Sequence, residues 1–221
     1  MIQLELVNKS FPNGATPFHA VKSASFAIAR GEVVALSGPS GSGKSTMLSL
    51  IGGLFAPDNG SILLDGVNIA ALKAADMDAL RARHIGIIFQ RFNLIPVLSA
   101  LENVEMALLQ SAMSGARRRA EAGAWLEKVG LSARAHVRAA LLSGGEQQRV
   151  AIARALVHQP KIVLADEPTA NLDRANAKNF LELLTSINRA TGTTLVIATH
   201  DPLVLSYVGR QIDMEDGQCM H

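Results

Sequence analysis

Four short apolar runs, Val33–Leu36, Ile85–Phe89, Ile162–Ala165 and Leu195–Ala198, constrain the fold more than any other feature of the chain. They are rich in β-branched residues, too short for helices and continuous rather than alternating. That is the pattern of strands buried on both faces of a parallel sheet. Segments of helical period separate them, so the chain is predicted to be an α/β protein, a mostly parallel sheet covered by helices. Each run stops abruptly at polar or glycine-rich residues: Gly38 to Ser45, Gln90, Asp166 with Glu167, and His200. In open α/β sheets ligands bind beyond the carboxyl ends of the strands, so these four groups are expected to converge on one site.

Two regions depart from this alternation. The first thirty or so residues read as antiparallel strands, Gln3–Val7 and Ala24–Ile28, joined by a loop over Phe11–Pro17. Between Asn93 and Leu142 only helical patterns occur, Ala100–Met113 and Ala116–Val129 with a stop at Gly130. The expected organisation is one domain. Residues 1–92 and 150–221 form the core with its antiparallel β region, and residues 93–149 form an inserted helical lobe. No internal repeat or low-complexity linker interrupts it.

Length and composition exclude several classes. The 221 residues, 48% of them hydrophobic, suffice for one substantial core. With 21 basic and 19 acidic side chains the formal charge is +2, too balanced for nucleic acid to be the main partner. Arg117, Arg118 and Arg119 read as a solvated helix face. The single cysteine, Cys219, excludes an intrachain disulfide and points to a reducing, cytoplasmic location. Apolar stretches such as Ser45–Pro57 fall short of the ~20 residues a membrane helix needs. Any membrane role therefore implies docking, peripherally, on a separate membrane protein.

Gly38-Pro39-Ser40-Gly41-Ser42-Gly43-Lys44-Ser45 follows an apolar strand and opens a helix expected over Lys44–Ile51. Glycines let backbone N–H groups turn inward around phosphate oxygens, the helix start adds its dipole, and Lys44 adds a mobile positive charge. Ser45 offers a hydroxyl to Mg²⁺. Where Ile162–Ala165 leaves the core, Asp166 and Glu167 point to opposite sides, which divides their work. Asp166 is expected to hold the metal shell, and Glu167 to act as base or positioner for an attacking water. Gln90 is placed to contact the metal or the water, and His200 to hydrogen-bond the γ-phosphate.

Leu142-Ser143-Gly144-Gly145-Glu146-Gln147-Gln148-Arg149 opens a second helix, running to about His158. Ser143 and Glu146 form a capping box, and Gly144 with Gly145 permits close approach of backbone N–H groups to an anion. One chain would thus carry two phosphate-binding helix starts, which a second copy facing the first would use together.

The ordered set GPSGSGKST (Gly38 to Thr46), Gln90, LSGGEQQR, IVLADE and His200 resembles the nucleotide-binding subunit of ABC transporters over essentially the whole chain. LSGGEQQR is its most specific element. The resemblance implies an ABC ATPase fold with a P-loop NTPase core, ATP and Mg²⁺ as ligands, and two subunits that sandwich two ATP molecules head to tail. It further implies that Ser143 and Gly145 reach the γ-phosphate held by the other subunit, that Asp173 lines the dimer interface, and that Phe11 stacks on adenine. Around Gln90 and in LADEPTANLD the chain is similar to the lipoprotein-releasing and macrolide-export branch. That implies membrane permease subunits with large extracytoplasmic domains, and ATP hydrolysis coupled to export, lipoprotein release or mechanotransmission. Cell-division-type regulators and ABC ATPases without transport are the alternative readings. Ala139-Ala140-Leu141 stands where family members usually have a proline and an acidic residue before the signature.

Overall fold

The computed structural model describes residues 1–14 and 16–220. Ala15, inside the expected Phe11–Pro17 loop, and His221, at the end of the expected core range, lie outside the described residues. The chain opens with β1 (Ile2–Phe11) and β2 (Phe18–Ile28), then β3 (Val33–Ser37), α1 (Lys44–Ile51), β4 (Asn59–Leu64), β5 (Val67–Asn68), α2 (Ala74–His84) and β6 (Ile85–Ile88). Next come α3 (Ala100–Glu105), α4 (Gly115–Lys128) and α5 (Gly144–Leu156). It closes with β7 (Ile162–Asp166), α6 (Arg174–Thr191), β8 (Thr194–Thr199), α7 (Pro202–Leu205), β9 (Arg210–Glu215) and β10 (Gln218–Met220).

Six strands form one sheet in the order β10-β9-β3-β8-β7-β6, parallel except for β10. A second, antiparallel sheet has the order β2-β1-β4-β5. The parallel strands read as continuous apolar runs because both their faces are buried. In β7, Ile162 and Leu164 pack with α1 and the antiparallel sheet, whereas Val163 and Ala165 pack with α5 and α6. In β8, Val196 and Ala198 face the first cluster, Leu195 and Ile197 the second. Helix α1 is therefore enclosed between the two sheets through Met47, Leu50 and Ile51, each fully buried. Side chains of this kind each contribute about 1.5–3 kcal/mol of transfer free energy.

Both N-terminal strands are longer than their alternation suggests. Leu6 adopts a left-handed φ of 48° and is 65% exposed, and the ladder shifts register between Leu4 and Val7. This irregularity reverses the alternation, which hides the second half of the strand from a period-two reading. The helix expected over Ala100–Met113 is also corrected: α3 ends at Glu105 and tightens into a 3₁₀ turn over Met106–Leu108. There the Ser111 hydroxyl donates to the Leu108 carbonyl at 2.6 Å, and the chain turns toward the Ser114 cap of α4. Among the described residues, no named strand lies between β6 and β7, so the insertion is helical as expected.

Strand register aligns the carboxyl ends. Ser37 pairs with Thr199, Ala198 with Asp166, and Ala165 with Ile88. The residues that follow them, Gly38, His200, Glu167 and the Phe89–Gln90 segment, consequently emerge at the same edge of the sheet.

Candidate nucleotide site

A pocket of about 340 Å³ lies at that edge. It is lined by Ser40, Gly41 and Gly43 to Thr46 of the phosphate loop, and by Gln90, Glu167 and His200. The four groups that the sequence placed at separate strand ends are thus brought together. Phe18 and Ala170, which the sequence reading did not select, complete the wall.

The loop can take this shape because of what its glycines avoid. Gly38 has φ 141°, and a Cβ there would lie 2.1 Å from the Met214 carbonyl oxygen. Gly43 caps α1 with φ 101°, and a Cβ would meet the Ala20 carbonyl at 2.3 Å. Only glycine satisfies both the conformation and the clearance. Within the loop, Lys44 is 7% exposed, and its Nζ donates to the Gly38 and Pro39 carbonyls at 2.8 Å each. These bonds hold the ammonium over the loop, where an incoming phosphate can exchange for them. Ser42 is 3% exposed, and among the described residues its Oγ has no hydrogen-bond partner.

Asp166 ends β7 and stands next to Ser45, whose Oγ donates to Asp166 Oδ1 at 2.9 Å. Burial pushes the Asp166 carboxyl above the usual carboxylate range. The Ser45 hydrogen bond opposes that shift, the neighbouring Glu167 charge reinforces it, and Lys44 opposes it. Glu167 has a left-handed φ of 41°, costly for a residue with a side chain, and its N–H donates to the Ala198 carbonyl at 2.9 Å. This turn aims its carboxylate at the next strand end. Oε1 lies 2.7 Å from His200 Nδ1, and Oε2 accepts a bond from Thr199 Oγ1 at 3.3 Å. Thr199 is fully buried, and no motif marked it in advance. Gln90 is anchored through its backbone, its carbonyl accepting from Asn171 Nδ2 at 2.7 Å, which leaves its side chain toward the pocket.

Ser143, Gly144, Gly145, Glu146 and Asp173 do not line this pocket. Ser143 caps α5 in the expected capping box: its Oγ accepts from the Glu146 N–H at 3.3 Å, and Glu146 Oε2 accepts from the Ser143 N–H at 2.8 Å. That second bond, ahead of the others, holds the Glu146 carboxyl below its ordinary range. Asp173 caps α6 by accepting from the Asn176 N–H at 2.9 Å. Gly145 lies beside Asn176, so these two helix starts share one outer face on which Ser143, Gly144 and Asp173 are exposed. Phe11 also stands off the pocket. Its ring packs edge-on against Phe55 at 5.5 Å, while Phe18, its partner in the β1–β2 ladder, borders the phosphate loop.

A phosphate loop after β3, a carboxylate pair at the end of β7 and a serine-capped signature helix define a P-loop ATPase with an inserted helical region. The family model for ABC transporters matches residues 21–170, and the chain belongs to that family as an ATP-binding, ATP-hydrolysing subunit. It is 47% identical over 217 residues to the lipoprotein-releasing system ATP-binding protein LolD of Bordetella pertussis, covering 98% of this chain and 94% of that one. It is 44% identical over 217 residues to the uncharacterized ABC transporter ATP-binding protein YknY of Bacillus subtilis, with the same coverage. The dimeric post-hydrolysis structure of the ATP-binding cassette MJ0796 with ADP and Pi matches at TM-score 0.94 and 42% identity, over 100% of this chain and 97% of that one. Among the described residues, no helix is long and apolar enough to cross a membrane.

Proposed function

We propose that two copies of this chain close head to tail around two ATP molecules at the inner face of a membrane and drive a separate permease with large extracytoplasmic domains. The observation that carries this reading is the division of the motifs. One half-site, exposed Ser143 and Gly144 with half-buried Gly145, takes no part in lining the pocket that holds Lys44, Gln90, Glu167 and His200. A helix start capped by serine and glycines, with free N–H groups, suits an anion, and only a second molecule brings one to it.

In this reading the amides of Gly38 to Ser45, with Lys44 and Thr46, cradle the phosphates, and Phe11 supports the adenine ring. The donors around Ser45 fit Mg²⁺: a hydroxyl, the Asp166 carboxylate 2.9 Å from it and the Gln90 amide, all hard oxygen ligands. An ion held by these residues would supply positive charge against that of the bound phosphates. Glu167 orients the attacking water and accepts its proton. His200 fixes the Glu167 carboxylate and hydrogen-bonds the γ-phosphate. Ser143 of the partner subunit and Gly145 of the partner subunit close over that phosphate, with Asp173 at the joint between subunits.

The helical lobe of residues 93–149 then moves with the nucleotide. An open groove of about 440 Å³ between α2, β6, the turn after α3 and α5 gives a permease segment a place to feel that movement. Similarity to a lipoprotein-releasing ATPase supports cargo leaving the membrane as the driven process. Complementation tests the sandwich. Lys44→Ala and Ser143→Arg should each be inactive alone, yet a mixture should regain turnover, because a mixed dimer holds one intact site. An inactive mixture that still dimerises with ATP would refute the shared site. Co-purification with the membrane subunit tests the coupling.

A further inference from the structure

The second glutamine of the signature helix is buried where its chemistry is costly. Gln148 is 1% exposed, and among the described residues its Oε1 has no hydrogen-bond partner. An amide oxygen left unpaired in the interior keeps its desolvation penalty, which a leucine of similar size would avoid. What Gln148 gains is one bond: its Nε2 donates to the Pro168 carbonyl at 2.8 Å.

Pro168 directly follows Glu167. The short segment from Glu167 to Asn171 is tied at several places, Thr169 Oγ1 donating to Asp201 Oδ2 at 3.1 Å. The Glu167 N–H is held by Ala198, the Pro168 carbonyl by Gln148, and the Asn171 side chain reaches the Gln90 carbonyl at 2.7 Å. Of these ties, only the one from Gln148 comes from α5, the helix whose capped N-terminus carries Ser143 one turn away. Farther along α5, Arg154 donates to the Phe92 and Asn93 carbonyls at 2.6 and 2.5 Å, so α5 grips the Gln90 segment as well. A shift of α5 along or about its axis moves the Pro168 carbonyl, and with it the strained Glu167 turn.

We propose that Gln148 is a positioning residue that transmits the seating of ATP on the α5 N-terminus to the placement of Glu167 in the other site of the dimer. The inference rests on the head-to-tail sandwich proposed above and adds to it a route between the two sites. A single amide bond suits this task, because it fixes distance without the bulk that would lock α5 against the loop. The unpaired Oε1 leaves the amide free to exchange partners when the loop moves.

The test is Gln148→Leu in the full chain, with Gln148→Met as a second variant of similar length and no donor. Both remove the unpaired oxygen but also leave the Pro168 carbonyl without its donor, so the two effects offset and thermal stability should change little. ATP-driven dimerisation in the Glu167→Gln background should be unchanged by light scattering. Turnover should fall about tenfold, and the Hill coefficient for ATP, at most 2 for two coupled sites, should fall toward 1. A purely structural role would lower stability and leave the Hill coefficient alone. Wild-type turnover and cooperativity in a variant that dimerises would overturn the inference while leaving the sandwich intact. Failure of Glu167→Gln itself to dimerise with ATP would instead sink the sandwich on which the inference depends.

Discussion

His200 Nδ1 and Glu167 Oε1 lie 2.7 Å apart, although the two residues directly follow different strands, β8 and β7. The contact exists because β7 and β8 are neighbours in the sheet, with Asp166 opposite Ala198, so their next residues emerge side by side. It gives each of them a distinct test.

Replacing Glu167 by glutamine keeps the shape of the side chain and removes its capacity to take a proton. Glu167→Gln is expected to bind ATP normally and to lose turnover by ~10²–10⁴, the usual worth of a positioned base. His200→Ala leaves the carboxylate present with only Thr199 to orient it, so its loss should be smaller, about 10²-fold. Steady-state hydrolysis with nucleotide titration checks both. A histidine variant more impaired than the glutamine variant would reverse the assigned roles.

Lys44 is already tethered over the loop by two carbonyls, so little ordering is required when a phosphate arrives. Removing a charged hydrogen-bond donor of this kind costs about 1.5–3 kcal/mol, or roughly 10–100-fold in ATP affinity. Titration calorimetry on Lys44→Ala should show that loss without a change in melting temperature large enough to signal unfolding.

Asp166 links the site to pH. Its folded-state pKa lies above the ordinary 3.8, chiefly because of burial, so the neutral form is the one that favours folding. That contribution is fully present below the unfolded value and disappears as pH rises through the folded one. At pH 7 the ionised carboxylate is therefore a net burden on the nucleotide-free protein. Asp166→Asn should raise its melting temperature there by up to a few degrees, and the gain should vanish toward acid pH. Turnover should drop at least ~10²-fold. A lower melting temperature at pH 7 would show that the Ser45 bond outweighs burial.

Gly86 in β6 sets the distance between the sheet and α5. A Cβ at this position would lie 2.1 Å from the Ala155 carbonyl oxygen, which belongs to the helix backbone and cannot swing aside. Gly86→Ala should destabilise the chain by about 1–3 kcal/mol, as overpacking does, and lower turnover through displacement of α5. Urea denaturation measures the first effect. Unchanged stability would mean that α5 shifts freely on the sheet.

The parts of the site legible in the sequence are those that local physics enforces. A strand buried on both faces is apolar nearly throughout, so the polar or glycine-rich groups that closely follow Leu36, Ala165 and Ala198 mark where the chain leaves the core. Gly38 to Ser45, Asp166, Glu167 and His200 could be placed at strand ends for that reason. Ser143 and Glu146 were legible because a capping box spans only three residues. Helix α6, which the sequence reading did not set apart, carries a regular buried stripe of Ala177, Phe180, Leu181 and Leu184 behind its Asp173 cap. Strand β1 was cut short by the reversal at Leu6.

Several contacts had no local sign. Phe18 reaches the phosphate pocket only through its pairing with Phe11, and Thr199 meets Glu167 only because β7 and β8 are adjacent. Gln148 meets Pro168 only because α5 packs over β6 and β7. By itself, the sequence determined which groups leave the core at strand ends and which helices begin with phosphate-binding turns, since burial and capping act over a few residues. Sheet order and helix packing decided which of those groups touch. Contacts between residues tens of positions apart depend on the whole arrangement of β3, β8, β7 and β6, which no short stretch of chain encodes.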